Sequence, residues 1–292
     1  MSEGIRPGFP DTLPVFTCIF PMPDQPNRAG LPDPQPDRIA RPEQSNTAPA
    51  IAPGGLISRL LAAAAQRWLR SQAERVDKLR VQIGGGDRQF LAGAIQQVSI
   101  SARGVVYRGL QFSQVDLVAT GLRVNLGQAL WGKPLQLLAI APVQGEFVMQ
   151  QEDINASLQV PQIAVAIAAL LVDLLGGAVD AVGLSTEESL DLRDFEAIVK
   201  ANQITLSAQL RSVSGQTTPL TIRAGLGLHS PHALRLEKPQ WLPNPRASRG
   251  LPLADLDGHL IDLGPNVALQ HLHLSDGQVT CSGQITVLIP SR

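Results

Sequence analysis

The sequence is poor in the residue types that most small-site chemistries need. Its two cysteines, Cys18 and Cys281, cannot build a disulfide framework. Cys18 sits in a proline-rich tail, so both thiols are expected to be free, which fits a reducing compartment. Aromatic residues make up 4% of the chain, so a core must rest on Ala, Val, Ile and Leu. Charged residues make up 17% and the net charge is −1, which excludes a global attraction to nucleic acid. No long apolar run is present either. The longest, Ile163 to Leu175, is interrupted by Asp173 and falls short of the roughly 20 residues of a membrane span. The N-terminus lacks a basic stretch followed by an apolar one, so no secretory signal is read there. A cytoplasmic or peripheral membrane protein is expected.

What the chain has is apolar content of 44% over 292 residues, enough to bury a sizeable core. Charge is unevenly spread. Residues 54–133 hold 11 Lys and Arg against 4 Asp and Glu, while residues 134–292 hold 9 against 15. The basic half either faces an anionic surface or is an ordinary solvated face. Residues 1–53 carry 12 of the 23 prolines, as in Pro32-Asp33-Pro34-Gln35-Pro36. Such spacing favours extended polyproline conformations, so a disordered tail over 1–53 is expected, with a single domain over 54–292.

A first helix is predicted over Leu56–Val76. Ile57, Leu61, Ala64, Ala65 and Trp68 share one side and Arg59, Gln66, Arg67 and Arg70 the other. Either its apolar stripe packs on a sheet, or the helix lies in a membrane interface with Trp68 as anchor. Alternating strands follow: Leu79–Ile83, Val98–Ala102, Leu110–Phe112, Val115–Val118, Leu122–Leu126, Leu135–Pro142 and Gly145–Met149. A change of phase near Ser113-Gln114 predicts a bulge. Asp153 is the expected N-cap of an apolar helix that Pro161 kinks or restarts and Gly176-Gly177 ends. Further strands are predicted at Ala197–Val199, Gln203–Ser212, Leu220–His229 and His232–Leu236. A closing hairpin, Val267–Leu274 with Gln278–Ile289, turns at Asp276-Gly277. Strands outnumber a few segregated helices, which is an α+β pattern.

Catalytic signatures are missing. There is no phosphate-binding Gly-rich loop, no nucleophile elbow and no His-Glu-x-x-His helix. Gly84-Gly85-Gly86 reads as a turn between strands. His271 and His273 share a strand face, and His229 and His232 flank Ser230-Pro231, but a zinc site needs three or four ligands and no cysteine pair joins either set. Glu152-Asp153 and Glu187-Glu188 are neighbours on helical stretches and point apart, so they suit capping rather than acid–base work. No enzyme, metal or cofactor is expected. Tyr107-Arg108, Arg67-Trp68 and Trp131-Gly132-Lys133 are scattered, which does not suit nucleic acid; aromatic and basic residues together also mark membrane interfaces.

The stretch Ala102-Arg103-Gly104-Val105-Val106-Tyr107-Arg108-Gly109-Leu110, the strand through Asp116-Leu117, and Glu152-Asp153-Ile154-Asn155-Ala156-Ser157-Leu158 resemble the LmeA-like phospholipid-binding proteins. The closing segment from Gly258-His259-Leu260-Ile261-Asp262-Leu263-Gly264-Pro265 to Val287 is similar to the end of cyanobacterial-type members. The likeness runs over about residues 55–290. It implies a relative of the tubular lipid-binding superfamily: a long curved antiparallel sheet wrapped around an apolar helix, enclosing an apolar tunnel. The implied function is noncatalytic binding of phospholipid or another acyl lipid, for lipid transfer or membrane maintenance. The expected lipid contacts are Val105, Leu110 and Phe112 on the sheet and Ile154, Leu158, Ile163, Ile167 and Leu170 on the helix. Arg67, Trp68, Arg70, Trp131 and Lys133 are the expected contacts with a headgroup or a transient membrane surface. The alternative is a protein-interaction module with a filled core.

Overall fold

Antiparallel pairing of neighbouring strands accounts for most of the architecture. In this computed structural model, residues 56–86, 90, 93–125, 138, 139, 141–179, 191–211 and 216–287 are described. The expected tail over 1–53, together with Cys18, Trp131, Lys133, Glu187 and Glu188, lies outside them. The elements in chain order are α1 (Leu56–Gln72), β1 (Arg75–Gly84), β2 (Ala94–Tyr107), β3 (Leu110–Arg123), β4 (Ala141–Gln150), α2 (Gln151–Leu158), α3 (Pro161–Val179), β5 (Asp191–Lys200), β6 (Gln203–Arg211), β7 (Thr217–Ser230), β8 (Ala233–Trp241), β9 (Leu251–Pro252), β10 (Leu260–Asp262), β11 (Val267–Ser275) and β12 (Gln278–Val287).

The strands divide between two six-stranded sheets instead of forming one. The first has the order β1-β2-β3-β4-β12-β11; the second runs β10-β8-β7-β6-β5, with β9 beside β8. Every pairing is antiparallel. The closing hairpin forms as its Asp276-Gly277 turn predicts, with Gly277 at φ +73°. It then pairs along β4 over ten residues, which carries the C-terminal strands into the N-terminal sheet. The two sheets meet through turns: Asn202 N–H donates to Leu274 O at 3.0 Å, Gly277 N–H to Val199 O at 3.0 Å, and Leu269 N–H to Pro231 O at 2.7 Å.

The phase change near Ser113 is real but is not a bulge. Residues Leu110–Arg123 form one strand, and the β2–β3 register is the same on both sides of Ser113. No residue is inserted. Instead both ladders skip the row Asp77–Gly104–Ser113, where Gly104 adopts φ +58° and the Asp77 side chain fills the space above it. Val76, Val105 and Phe112 on one side of this row share a cluster with Leu79, Ala102 and Val115 on the other. Residues three apart on a flat strand point to opposite faces, so the row is a kink that turns both sets inward.

Short helix α2 holds the sheets together, and its residues divide by face. Its N-cap is Gln150, and Asp153 stands at N3 of a capping box, which moves the cap three residues before the expected one. Asp153 accepts from Gln150 N–H and from the hydroxyl of Ser113 in the skipped row, and Ser157 Oγ accepts from Gln111 N–H at 2.8 Å. These bonds replace β4 along a stretch of β3 that β4 does not pair. On the opposite face, Gln151, Asn155 and Gln159 follow at four-residue steps. They bond alternate backbone groups of edge strand β5: Gln151 takes Val199 N–H at 2.9 Å and donates to Ala197 O, Asn155 takes Ala197 N–H at 2.7 Å, and Gln159 donates to Phe195 O at 2.9 Å. An open sheet edge is thereby closed by side chains.

Pro161 restarts the helix as expected, with α2 and α3 at 88° to each other. The helix passes through Gly176-Gly177 to Val179 instead of stopping there. At the corner, Gly109 of the β2–β3 turn has φ +80°, and a Cβ there would stand 2.7 Å from Val160 Cγ1. Gly109→Ala therefore adds a left-handed backbone cost to overpacking. Urea unfolding should show a loss of about 2–5 kcal/mol.

Candidate functional site: an apolar sheet face

Register across the first sheet places eighteen residues on one face, in three rows of six. One row is Leu79–Ala102–Val115–Phe147–Cys281–Leu272. The next is Val81–Ile100–Leu117–Gly145–Gly283–Leu269, and the third is Ile83–Val98–Ala119–Val143–Ile285–Val267. None of the eighteen carries a charged, hydroxyl or amide side chain. The opposite face holds rows such as Arg80–Ser101–Asp116–Glu146–Ser282–His271 and belongs in water. Neighbouring strands stand about 4.8 Å apart, so the apolar face is about 24 Å wide.

At the β1 end this face is covered by a helix. There, α1 lays Leu61, Ala62, Ala65 and Leu69 against a cluster of Val81, Ile83, Phe90, Ile95 and Val124. Val98 and Ile100 pack half-buried against the same cluster. Further across, Leu117, Val143, Phe147, Leu269, Leu272, Cys281 and Ile285 are half-buried. Among the described residues, no buried cluster runs from the β4–β12–β11 part of this face to the second sheet. Gly145 and Gly283 are directly paired in its middle, the Phe147 ring lying over Gly145. Phe147 also meets Phe112 at 5.7 Å between ring centroids, tilted by 51°.

The second sheet has a closed core. Ile154, Leu158, Ile163 and Ile167, expected to line a tunnel, pack with Leu171, Leu192, Phe195, Ala197, Ala208, Leu210 and Leu220. Leu110 is the first sheet's contribution to that core. Leu170 packs one step along, with Leu174, Ala224 and Leu236. Val105 and Phe112 lie across from each other at the kinked margin of the first sheet. The eight expected lipid contacts are therefore not brought to one surface. Sequence reasoning missed Val143, Phe147, Leu272 and Ile285, because alternation shows that a strand has two faces but not which distant strand continues them.

The α1 reading also changes. Trp68 is 48% exposed, so it and Ala64 face outward, beside Arg67 and Arg70. Gln66 turns inward and donates to Leu79 O at 3.1 Å. The four described histidine positions singled out above, His229, His232, His271 and His273, do not assemble into a site, and among the described residues no three or more His, Cys, Asp or Glu come together as metal ligands.

Residues 52–284 match a family described as LmeA-like phospholipid-binding. The chain belongs to the LmeA-like phospholipid-binding family. No curated protein and no solved structure matches it. The match covers both sheets and all three helices of this LmeA-like chain up to Gln284. Among its described residues, no single helix is long and apolar enough to cross a membrane; α2 with Pro161–Val172 passes by length and composition only as a pair bent by 88°.

Cys281 reports on the apolar face. It is free, and burial pushes its thiol up to about 11 from 9.0, because the thiolate is poorly solvated there. A thiol pKa raised in the folded state means the folded state holds its proton more tightly. Its contribution to stability is complete below about pH 9 and is lost as pH rises through about 11. Denaturation midpoints should fall more steeply across that window for the native chain than for Cys281→Ala.

Proposed function

We propose that this LmeA-like chain binds the acyl chains of a phospholipid along the half-buried apolar face of its first sheet, without catalysis. The single observation carrying this reading is the eighteen-residue face without a charged, hydroxyl or amide side chain, covered by α1 at one end and, among the described residues, joined to no second core across β4, β12 and β11. Such a surface is costly in water and rewards an apolar occupant. At about 0.8 kcal/mol per buried CH₂, ~15 methylenes offer on the order of 12 kcal/mol before ordering and association costs.

In this reading Val105 and Phe112 border the chains, and Leu110, Ile154, Leu158, Ile163, Ile167 and Leu170 form the firm wall behind them. The tubular arrangement implied by the family resemblance, with lipid enclosed between sheet and helix, belongs to the same proposal. So does a role in lipid transfer or membrane maintenance by a peripheral membrane protein. Native mass spectrometry of the purified protein, with organic extraction, tests it. Stoichiometric phospholipid is the expected result. A lipid-free mass that stays unchanged after incubation with liposomes would favour a protein-interaction module.

A further inference from the structure

We infer that the outward face of α1 docks on the surface of an anionic phospholipid bilayer. The partner class rests on the lipid-binding reading above; the surface itself rests on separate observations. Helix α1 carries three arginines and no acidic residue in seventeen positions. Arg59, Arg67 and Arg70 are all exposed, and among the described residues none of them forms an ion pair. The first acidic residue after the helix, Glu74, is already engaged with Gly109 N–H at 3.1 Å.

The same face is apolar as well as basic. Leu60, Ala64 and Trp68 recur at four-residue steps as one ridge, and Arg59, Ala63 and Arg67 form the ridge beside it. Leu60 is 73% exposed and Trp68 48% exposed. Neither belongs to the cluster beneath the helix, where Leu61, Ala62, Ala65 and Leu69 form the inward face. An exposed leucine beside an amphipathic tryptophan and three exposed guanidinium groups suits the headgroup level of a bilayer: the apolar pair enters the acyl boundary and the arginines meet phosphates. A nucleic-acid backbone would satisfy the arginines and leave Leu60 unburied. Docking here also has a geometric consequence. Helix α1 covers the β1 end of the apolar sheet face, so this contact sets that end against the membrane.

The test uses the full chain and vesicles of phosphatidylcholine, with and without phosphatidylglycerol, in a sedimentation assay. The native protein should partition onto the anionic vesicles and be released by high salt. R59Q/R67Q/R70Q should lower the partition coefficient by about two orders of magnitude, at about fivefold per arginine. L60A/W68A should lower it as well, at positions whose exposure leaves the fold intact by circular dichroism. Both variants should keep their copurified lipid. Equal partition onto neutral vesicles, no binding by the native protein, or unchanged binding by either folded variant would overturn the inference. Vesicle binding by a chain that never carries lipid would leave this surface standing and refute the acyl-binding reading instead.

Discussion

Ile285→Asp should fold and lose its lipid. Ile285 is half-buried on β12, between β4 and edge strand β11, paired with Val143, and belongs to none of the four buried clusters. Its replacement therefore removes little packing. In the lipid-bound state, however, an aspartate there must be desolvated among acyl methylenes or hold them away. At about 3 kcal/mol for an uncompensated polar group in an apolar setting, retention should fall on the order of 100-fold. Urea midpoints should shift by less than about 1 kcal/mol equivalent. The matched control is Leu170→Asp. Leu170 lies within a core of Leu174, Ala224 and Leu236, so the same chemistry there should cost about 2–5 kcal/mol of stability. If Ile285→Asp kept its lipid while Leu170→Asp folded and lost it, the β4–β12–β11 part of the face would not be the binding surface.

The second large effect is structural. The double variant Gln151→Ala/Asn155→Ala should destabilise the protein by about 2–5 kcal/mol, because it strips partners from Val199 N–H, Ala197 N–H and Ala197 O at once. Ala197 and Val199 are among the most buried residues of the chain, so water cannot replace these partners without local opening. Hydrogen exchange should quicken first at the Ala197 and Val199 amides. The freed β5 edge is also a template for pairing with another chain, so concentration-dependent aggregation should accompany the loss. Uniform exchange across both sheets would mean that α2 is not what seals this edge.

These two results also show what was legible in the sequence. Period-two alternation located nearly every strand, and Asp276-Gly277 located the closing hairpin, because both signals are local. The β4–β12 ladder is not local: nothing in Gly145 or Phe147 announces Gly283 or Cys281 as its neighbour. The division into two sheets and the continuous apolar face depend on that ladder. Helix α2 failed in a different way. Its four-residue rhythm of Gln151, Asn155 and Gln159 is visible in the sequence, but amide side chains read as ordinary solvated helix until an edge strand is placed beside them. At α1 the helical period is legible, but the period alone leaves Trp68 open between packing on a sheet and anchoring at an interface. Trp68 is outward here, while Ala62 and Leu69 lie against the β1–β2 cluster.

The most direct test of where lipid sits is photo-crosslinking with a phospholipid bearing a diazirine in its acyl chain, followed by peptide mapping. Label concentrated on β2, β3, β4, β11 and β12, at residues such as Ile100, Leu117, Phe147, Leu272 and Ile285, is the predicted result. Label confined to α3 and the β5–β8 sheet, or absent from both sheets, would contradict it.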